Sequence, residues 1–147
     1  MPLYLTDSSI WIGAWRNRGA YLPRLLSDRL AGDEVATCIP VALEVLTGPA
    51  NEAQLDQDWQ AVWEHLRWLP VDAAAMERAL ELLRGLARTK DGAHRRRPID
   101  YVIAACAEAA NDVILWHWDT DLTVICEFAG IPHEPEHDRA KAAGITG

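Results

Sequence analysis

Residues 3–12 read LYLTDSSIWI, and this stretch decides the fold of the chain. Its first three residues form a short apolar run, which is typical of a buried strand. Asp7, Ser8 and Ser9 follow, and these residue types cap helix N-termini. Apolar residues at helical spacing come next, with Ile10, Trp11 and Trp15. The stretch therefore predicts a strand that leads directly into a helix.

The same alternation continues along the chain. Short apolar segments at 35–39, 68–71 and 113–116 predict further strands, and helical spacing predicts helices over 19–31, 41–47, 54–67, 72–87, 98–110 and 120–129. Strands that alternate with helices indicate an α/β protein with a mostly parallel central sheet, covered on both faces. We expect one folded domain over residues 1–131 and a polar, loosely held C-terminal tail over 132–147.

Length and composition narrow the class of protein. The chain has 147 residues, which suits one domain, and half of its residues are hydrophobic. Its apolar runs are far too short for a membrane span, and its start lacks a signal-peptide pattern, so we expect a cytoplasmic protein. Cys38, Cys106 and Cys126 lie in apolar segments and are interpreted as small buried side chains. A net charge of −8 implies that a nucleic-acid-binding surface has to be local.

Five carboxylates occupy positions that call for an explanation. Asp7, Asp119 and Asp121 follow predicted strands, and Glu44 and Asp100 lie among apolar residues on predicted helices. In a parallel sheet, a ligand site forms at the carboxyl ends of the strands. Capping or a favourable helix dipole could account for each aspartate singly. The order and placement of all five carboxylates together point more strongly to a ligand site than any single residue does.

Carboxylates that converge need a compensating charge, because they repel one another and raise their own pKa values. The sequence offers no matching set of basic partners, since its arginines cluster in the loop before Pro98. Ligand sets made only of oxygen suit Mg²⁺ or Mn²⁺, and such ions support phosphodiester hydrolysis. The pattern therefore favours a divalent cation at this site.

The order of these motifs resembles the PIN-domain ribonucleases, and within them the VapC toxins. The resemblance covers about residues 3–131 and rests on Asp7-Ser8-Ser9, on Glu44 before Val45-Leu46-Thr47-Gly48, on Asp100 before Ile103-Ala104-Ala105, and on Asp119-Thr120-Asp121. It implies a three-layer α/β/α fold and a Mg²⁺-dependent endoribonuclease that cleaves tRNA or rRNA. It also implies that Asp7, Glu44, Asp100 and Asp119 are catalytic metal ligands, that Asp121 is a fifth ligand, and that Ser8 or Ser9 orients Asp7.

The resemblance further implies a toxin with a cognate VapB-like antitoxin, and commonly a homodimer. Trp11 and Trp15 are candidate lining for the antitoxin groove, although core packing explains tryptophans at this spacing equally well. The basic run Arg95, Arg96 and Arg97 is the candidate RNA-binding strip, with a solvated loop as its alternative.

Three other functions remain as alternatives. The chain could be a catalytically silent PIN-like scaffold that binds protein or RNA. A phosphotransfer site on Asp7 would need an aspartate where Ser9 stands. Finally, His133-Glu134-Pro135-Glu136-His137 spells the zinc-protease pattern, but that mechanism requires one stable helix and the segment contains a proline. Adventitious metal binding by a solvated tail is the milder interpretation of these histidines.

Overall fold

The protein folds around a five-stranded sheet in which every strand pair is parallel. The structure is a computed structural model that describes residues 2–89 and 91–144. The strand order is β3-β2-β1-β4-β5. The strands are β1 (Leu3–Thr6), β2 (Val35–Thr37), β3 (Arg67–Trp68), β4 (Val113–His117) and β5 (His133–Pro135). The helices are α1 (Ser8–Trp15), α2 (Leu22–Ala31), α3 (Ile39–Leu46), α4 (Glu52–Ala61), α5 (Ala73–Thr89), α6 (Pro98–Ala109), α7 (Thr120–Ala129) and α8 (Glu136–Ala142).

Two hydrophobic cores, one on each face of the sheet, hold the layers together. Because successive strand residues point to opposite faces, Leu115 enters one core and Trp116 enters the other. Helices α3, α5, α6 and α7 cover the face of Leu115, and α1, α2 and α8 cover the face of Trp116. The predicted α/β fold is therefore confirmed, with helices on both sides of a parallel sheet.

The residues predicted as a helix over 54–67 form a more broken segment. Helix α4 ends at Ala61, and a 3₁₀ turn over Trp63–His65 leads into β3. The ring of Trp68 lies 5.3 Å from that of Trp59 and 6.4 Å from that of Trp63. Packing of these three rings, which requires the chain to turn, overrides the helical spacing of the sequence.

The C-terminal segment is an integral part of the fold, and the prediction of a loosely held tail is wrong for residues 132–144. Strand β5 pairs with β4, so that His133 lies beside Leu115. Glu136 is fully buried and accepts hydrogen bonds from Trp116 Nε1 and Tyr21 Oη, both at 2.7 Å. The segment looks polar in sequence, but its carboxylates Glu134 and Glu136 pair with residues elsewhere in the chain. Among the described residues, no helix is long and apolar enough to span a membrane.

Candidate metal centre

Asp7 lies at the carboxyl end of the central strand β1 and caps α1. Its backbone N–H donates to Trp116 O at 2.9 Å, which holds it beside the end of β4. Its Oδ2 accepts from Ser9 N at 3.0 Å and from Ser9 Oγ at 2.6 Å. The prediction that a neighbouring serine orients Asp7 is thus confirmed for Ser9.

The other oxygen of Asp7 is free to bind a ligand. Asp7 is fully buried, and its Oδ1 has no hydrogen-bond partner among the described residues. Burial raises the pKa of Asp7, and the nearby charges of Glu44 and Asp119 raise it further, while Ser9 lowers it. An orphaned buried carboxylate oxygen costs free energy unless a cation or a proton compensates it.

Glu44, Asp119 and Asp121 approach the same edge of the sheet from other elements. Glu44 lies on α3, and its Oε1 accepts from Ser8 Oγ at 3.3 Å. Asp119 caps α7, and its Oδ1 accepts from Asp121 N at 2.8 Å. Carboxylate oxygens of Asp100, Asp119 and Asp121 lie within 4.8 Å of one another. Asp7 and Glu44 lie outside that group of three but close to it, since Glu44 shares Arg97 with Asp100 and the charge of Asp7 raises the pKa of Asp100.

Arg97 contacts three members of this cluster, and it corrects the expectation that the carboxylates have no basic partner. Its guanidinium lies 2.9 Å from Asp100 Oδ1, 3.0 Å from Glu44 Oε2 and 3.5 Å from Asp119 Oδ2. Arg97 occupies the N-cap of α6, so its side chain reaches the acidic residue one turn later. The spacing of three between Arg97 and Asp100 was the signal in the sequence that could have revealed this pair.

Burial and the contact with Arg97 shift the pKa of Asp100 in opposite directions. Burial raises the pKa of Asp100 to about 7, although the hydrogen bond and charge of Arg97 lower it. Burial alone would lower the pKa of Arg97, but the hydrogen bond and charge of Asp100, with Glu44 and Asp119, raise it overall. Two guanidiniums, that of Arg97 and that of Arg96 on Asp121, thus only partly compensate the five carboxylates. The remaining negative charge and the oxygen-only donor set fit a hard divalent cation.

The sequence matches the PIN domain family over residues 4–127. This chain belongs to that family. It is 33% identical to ribonuclease VapC18 of Mycobacterium tuberculosis over 136 residues, which cover 90% of this chain and 93% of the relative. The sequence-based assignment to the PIN-domain ribonucleases of the VapC type is confirmed.

Solved structures of VapBC complexes share the fold. The DNA-bound VapBC structure from Salmonella typhimurium superposes with a TM-score of 0.66 at 17% identity, over 92% of this chain and 98% of that chain. VapBC2 from Rickettsia felis, bound to a promoter DNA fragment, gives a TM-score of 0.65 at 15% identity, over 90% and 98% of the two chains. At these identities the likeness concerns the fold of the PIN domain.

The three arginines of the basic run before α6 make different contacts in this PIN domain. Arg97 is engaged with the acidic cluster, and Arg96 forms an ion pair with Asp121 and donates to Ala93 O at 2.9 Å. Arg95 is exposed to solvent. The three arginines predicted as one RNA-binding strip therefore have different environments, and Arg95 is the most accessible to a phosphate.

The two tryptophans of α1 are also in different environments. Trp11 is half-buried, donates from Nε1 to Thr6 O at 3.2 Å and packs on Trp63 with ring centroids 4.7 Å apart. Trp15 is 79% exposed. Ile39 and Leu43 of α3, which packs against α1, are also exposed. Trp15 thus belongs to the surface of the PIN domain and Trp11 mainly to its interior.

The zinc-protease pattern is not realised. His133 lies in β5, whereas His137 lies in α8, so the two histidines do not share one helix. Glu134, which would be the general base, is paired with Arg29 and Arg139. The segment therefore lacks the geometry that a metalloprotease needs.

Proposed function

We propose that this protein is a cytoplasmic, Mg²⁺-dependent endoribonuclease that acts as the toxin of a type II toxin–antitoxin module. The observation that carries the proposal is the meeting of Asp7, Glu44, Asp100 and Asp119 at the carboxyl edge of the sheet, from four different elements. The ribonuclease name of the 33% identical relative points to the same activity.

The four carboxylates would hold the cation, and Asp121 is the fifth candidate ligand. Bound Mg²⁺ or Mn²⁺ supplies a Lewis acid and an activated water for phosphodiester hydrolysis. Ser9 keeps Oδ2 of Asp7 occupied, which leaves the unpaired Oδ1 as the candidate metal-binding oxygen. We expect products with 5′-phosphate and 3′-hydroxyl ends, cut from a tRNA or an rRNA.

Arg97 has to move when the cation binds, because both compete for the same oxygens. Its side chain is half exposed, so the guanidinium can swing towards solvent while its backbone stays at the start of α6. A displaced Arg97 would remain next to Arg95 on the rim of the site. Both side chains are then placed to contact the phosphates of RNA.

A VapB-like antitoxin is the proposed partner, since two solved structures that share this fold are VapBC complexes. Trp15 on α1, and Ile39 and Leu43 on α3, the helix that carries Glu44, supply exposed apolar area. An amphipathic antitoxin segment would bury this area, and an arginine on it would pair with the carboxylates as Arg97 does. A homodimer belongs to the same proposal, and sedimentation of the purified protein tests it.

The deciding experiment is RNA-end sequencing after induced expression, combined with cleavage by purified protein. Discrete cuts that need Mg²⁺ and disappear with EDTA and in Asp100→Asn support the proposal. Cleavage that persists in EDTA contradicts the metal mechanism. RNA binding without any cleavage would instead favour the catalytically silent scaffold. Relief of toxicity by co-expression of a small VapB-like protein encoded next to this chain tests the antitoxin separately from the chemistry.

A further inference from the structure

A second cluster of metal-ligating side chains lies where β4 and β5 meet α7. Its members are His117 at the end of β4, Cys126 in α7 and His133 in β5. One donor atom from each lies within 4.8 Å of those from the other two. His117 and Cys126 are fully buried, and His133 is partly exposed. Three elements that are separate in the sequence therefore converge on one small space.

His137 of α8 lies next to this cluster, but its nitrogens fall outside the group of donor atoms within 4.8 Å of one another. Its ring centroid lies 5.9 Å from that of His117. Its Nε2 lies 3.1 Å from Thr123 Oγ1 and 3.4 Å from Asp138 Oδ1, and its buried Nδ1 has no hydrogen-bond partner among the described residues. A histidine whose one nitrogen is anchored by a hydroxyl while the other is unpaired has the usual arrangement of a metal ligand.

A hydrogen bond between imidazoles holds the cluster together when no cation is bound. His117 Nε2 lies 3.0 Å from His133 Nδ1, and the two rings are parallel within 3° with centroids 5.3 Å apart. That centroid separation is too long for stacked faces and suits an N–H···N bond between ring edges. Asp119 N donates to His117 Nδ1 at 3.2 Å, so the His117 proton lies on Nε2.

We propose that His117, Cys126 and His133, with His137 as the fourth ligand, form a Zn²⁺ site separate from the carboxylate cluster. Thiolate and imidazole ligands select zinc over Mg²⁺, and structural zinc takes four such ligands. The carboxylate cluster offers only oxygens and has the opposite preference. The two sites of this chain thus discriminate between hard and soft cations.

Zinc binding requires three local changes, of which one is the approach of the unpaired His137 Nδ1 to the other three donors. The Cys126 thiol, whose pKa burial raises to about 12, releases its proton to solvent when it binds the metal. The proton on His117 moves from Nε2 to Nδ1, so the 3.2 Å contact with the Asp119 amide is lost. The partly exposed side of His133 and His137 is the entry path for the cation.

The test uses full-length protein, stripped of metal by a chelator and then kept in excess Mg²⁺ so that the carboxylate cluster is occupied. Titration with Co²⁺, a spectroscopic substitute for zinc, is expected to give a thiolate-to-cobalt charge-transfer band, which one equivalent of Zn²⁺ removes. Cys126→Ala should abolish the band. Cys38→Ala, which removes an equally buried thiol elsewhere, should keep it.

His133→Gln keeps the test decisive if Cys126→Ala does not fold, because His133 is only partly buried. It should weaken Zn²⁺ binding more than ~100-fold, since even the outer partners of zinc ligands contribute 10–100-fold. Absence of the charge-transfer band, its survival in Cys126→Ala, or unchanged affinity in His133→Gln would overturn the proposal. Loss of zinc binding in Asp100→Asn alone would place the ion in the carboxylate cluster and also overturn it. None of these outcomes bears on the nuclease proposal.

Discussion

Arg97 donates to Asp100 through two nitrogens, from Nη2 to Oδ1 at 2.9 Å and from Nε to Oδ2 at 3.3 Å. Asp100 is fully buried, whereas the side chain of Arg97 is half exposed. The acid is therefore fixed in the interior and the base can leave. Because of this difference in burial, a divalent cation from solvent can replace the guanidinium of Arg97 at the proposed metal centre.

Arg97→Gln should raise the affinity for Mg²⁺ and lower the stability of the metal-free protein. Loss of the positive charge removes the competitor, and a unit charge about 4 Å away contributes ~1 kcal/mol in water, or about fivefold in affinity. Without Arg97, repulsion among the carboxylates is less compensated. Calorimetric titration and thermal unfolding in EDTA measure the two effects. Arg95→Gln, in the same loop, is the matched control, and equal Mg²⁺ affinity in both variants would contradict the competition.

The stability of the metal-free protein should fall as the pH rises from about 4 to about 7. Burial raises the pKa of Asp100 from 3.8 to about 7, so the folded state binds this proton more tightly than the unfolded state. The stabilisation is complete below the unfolded pKa and is lost as the pH passes the folded one. Thermal unfolding in EDTA should show this fall in the wild type and a smaller one in Asp100→Asn. Identical profiles would show that Asp100 does not titrate in this range.

Replacing the ligands should abolish cleavage without unfolding the protein. Asp7→Asn, Glu44→Gln and Asp100→Asn each remove a negative charge and keep the shape of the side chain. Because burial raises the pKa of Asp7, we expect Asp7→Asn to leave the metal-free protein at least as stable as the wild type. Single-turnover RNA cleavage in Mg²⁺ and thermal unfolding distinguish loss of function from loss of fold. Wild-type cleavage rates in any of the three variants would remove that residue from the proposed ligand set.

Arg95→Ala should weaken RNA binding and reduce its dependence on salt. Arg95 is exposed beside the site, whereas Arg96 is occupied by Asp121. Loss of one phosphate contact lowers the slope of log affinity against log salt by about 1. Arg24→Ala, an exposed arginine on α2, serves as the control. RNA affinity measured from low to moderate salt tests this prediction. An unchanged slope in Arg95→Ala would exclude Arg95 as a phosphate contact.

Trp15→Ala and Trp11→Ala should separate partner binding from folding. Trp15 is 79% exposed, so its loss should weaken the antitoxin complex and leave stability unchanged. Trp11 packs on Trp63, so its loss should destabilise the fold by up to ~3 kcal/mol. Antitoxin affinity and chemical unfolding of each variant measure the two effects. A complex that survives Trp15→Ala at full affinity would exclude this surface from the interface.

Much of the fold was predictable from the sequence because its signals are local. The strand, cap and helix of residues 3–12 follow from hydrophobic spacing and from the capping preference of Asp7. The placement of Asp7 and Asp119 after strands likewise predicted that they meet, since parallel strands end at one edge of the sheet. The positions of the proposed metal ligands could therefore be predicted from short segments of the sequence, without knowledge of their contacts with the rest of the chain.

Only the tertiary structure decided which side chains become partners. Arg97 lies 53 residues from Glu44 in the chain, and Tyr21 lies 115 residues from Glu136. These contacts depend on the strand order β3-β2-β1-β4-β5, which places β1 between segments that are remote in sequence. The C-terminal segment looked like a solvated tail for the same reason. The sequence gives the charge of each residue. Whether water, an ion pair or a metal compensates that charge depends on which residues the folded sheet places next to it.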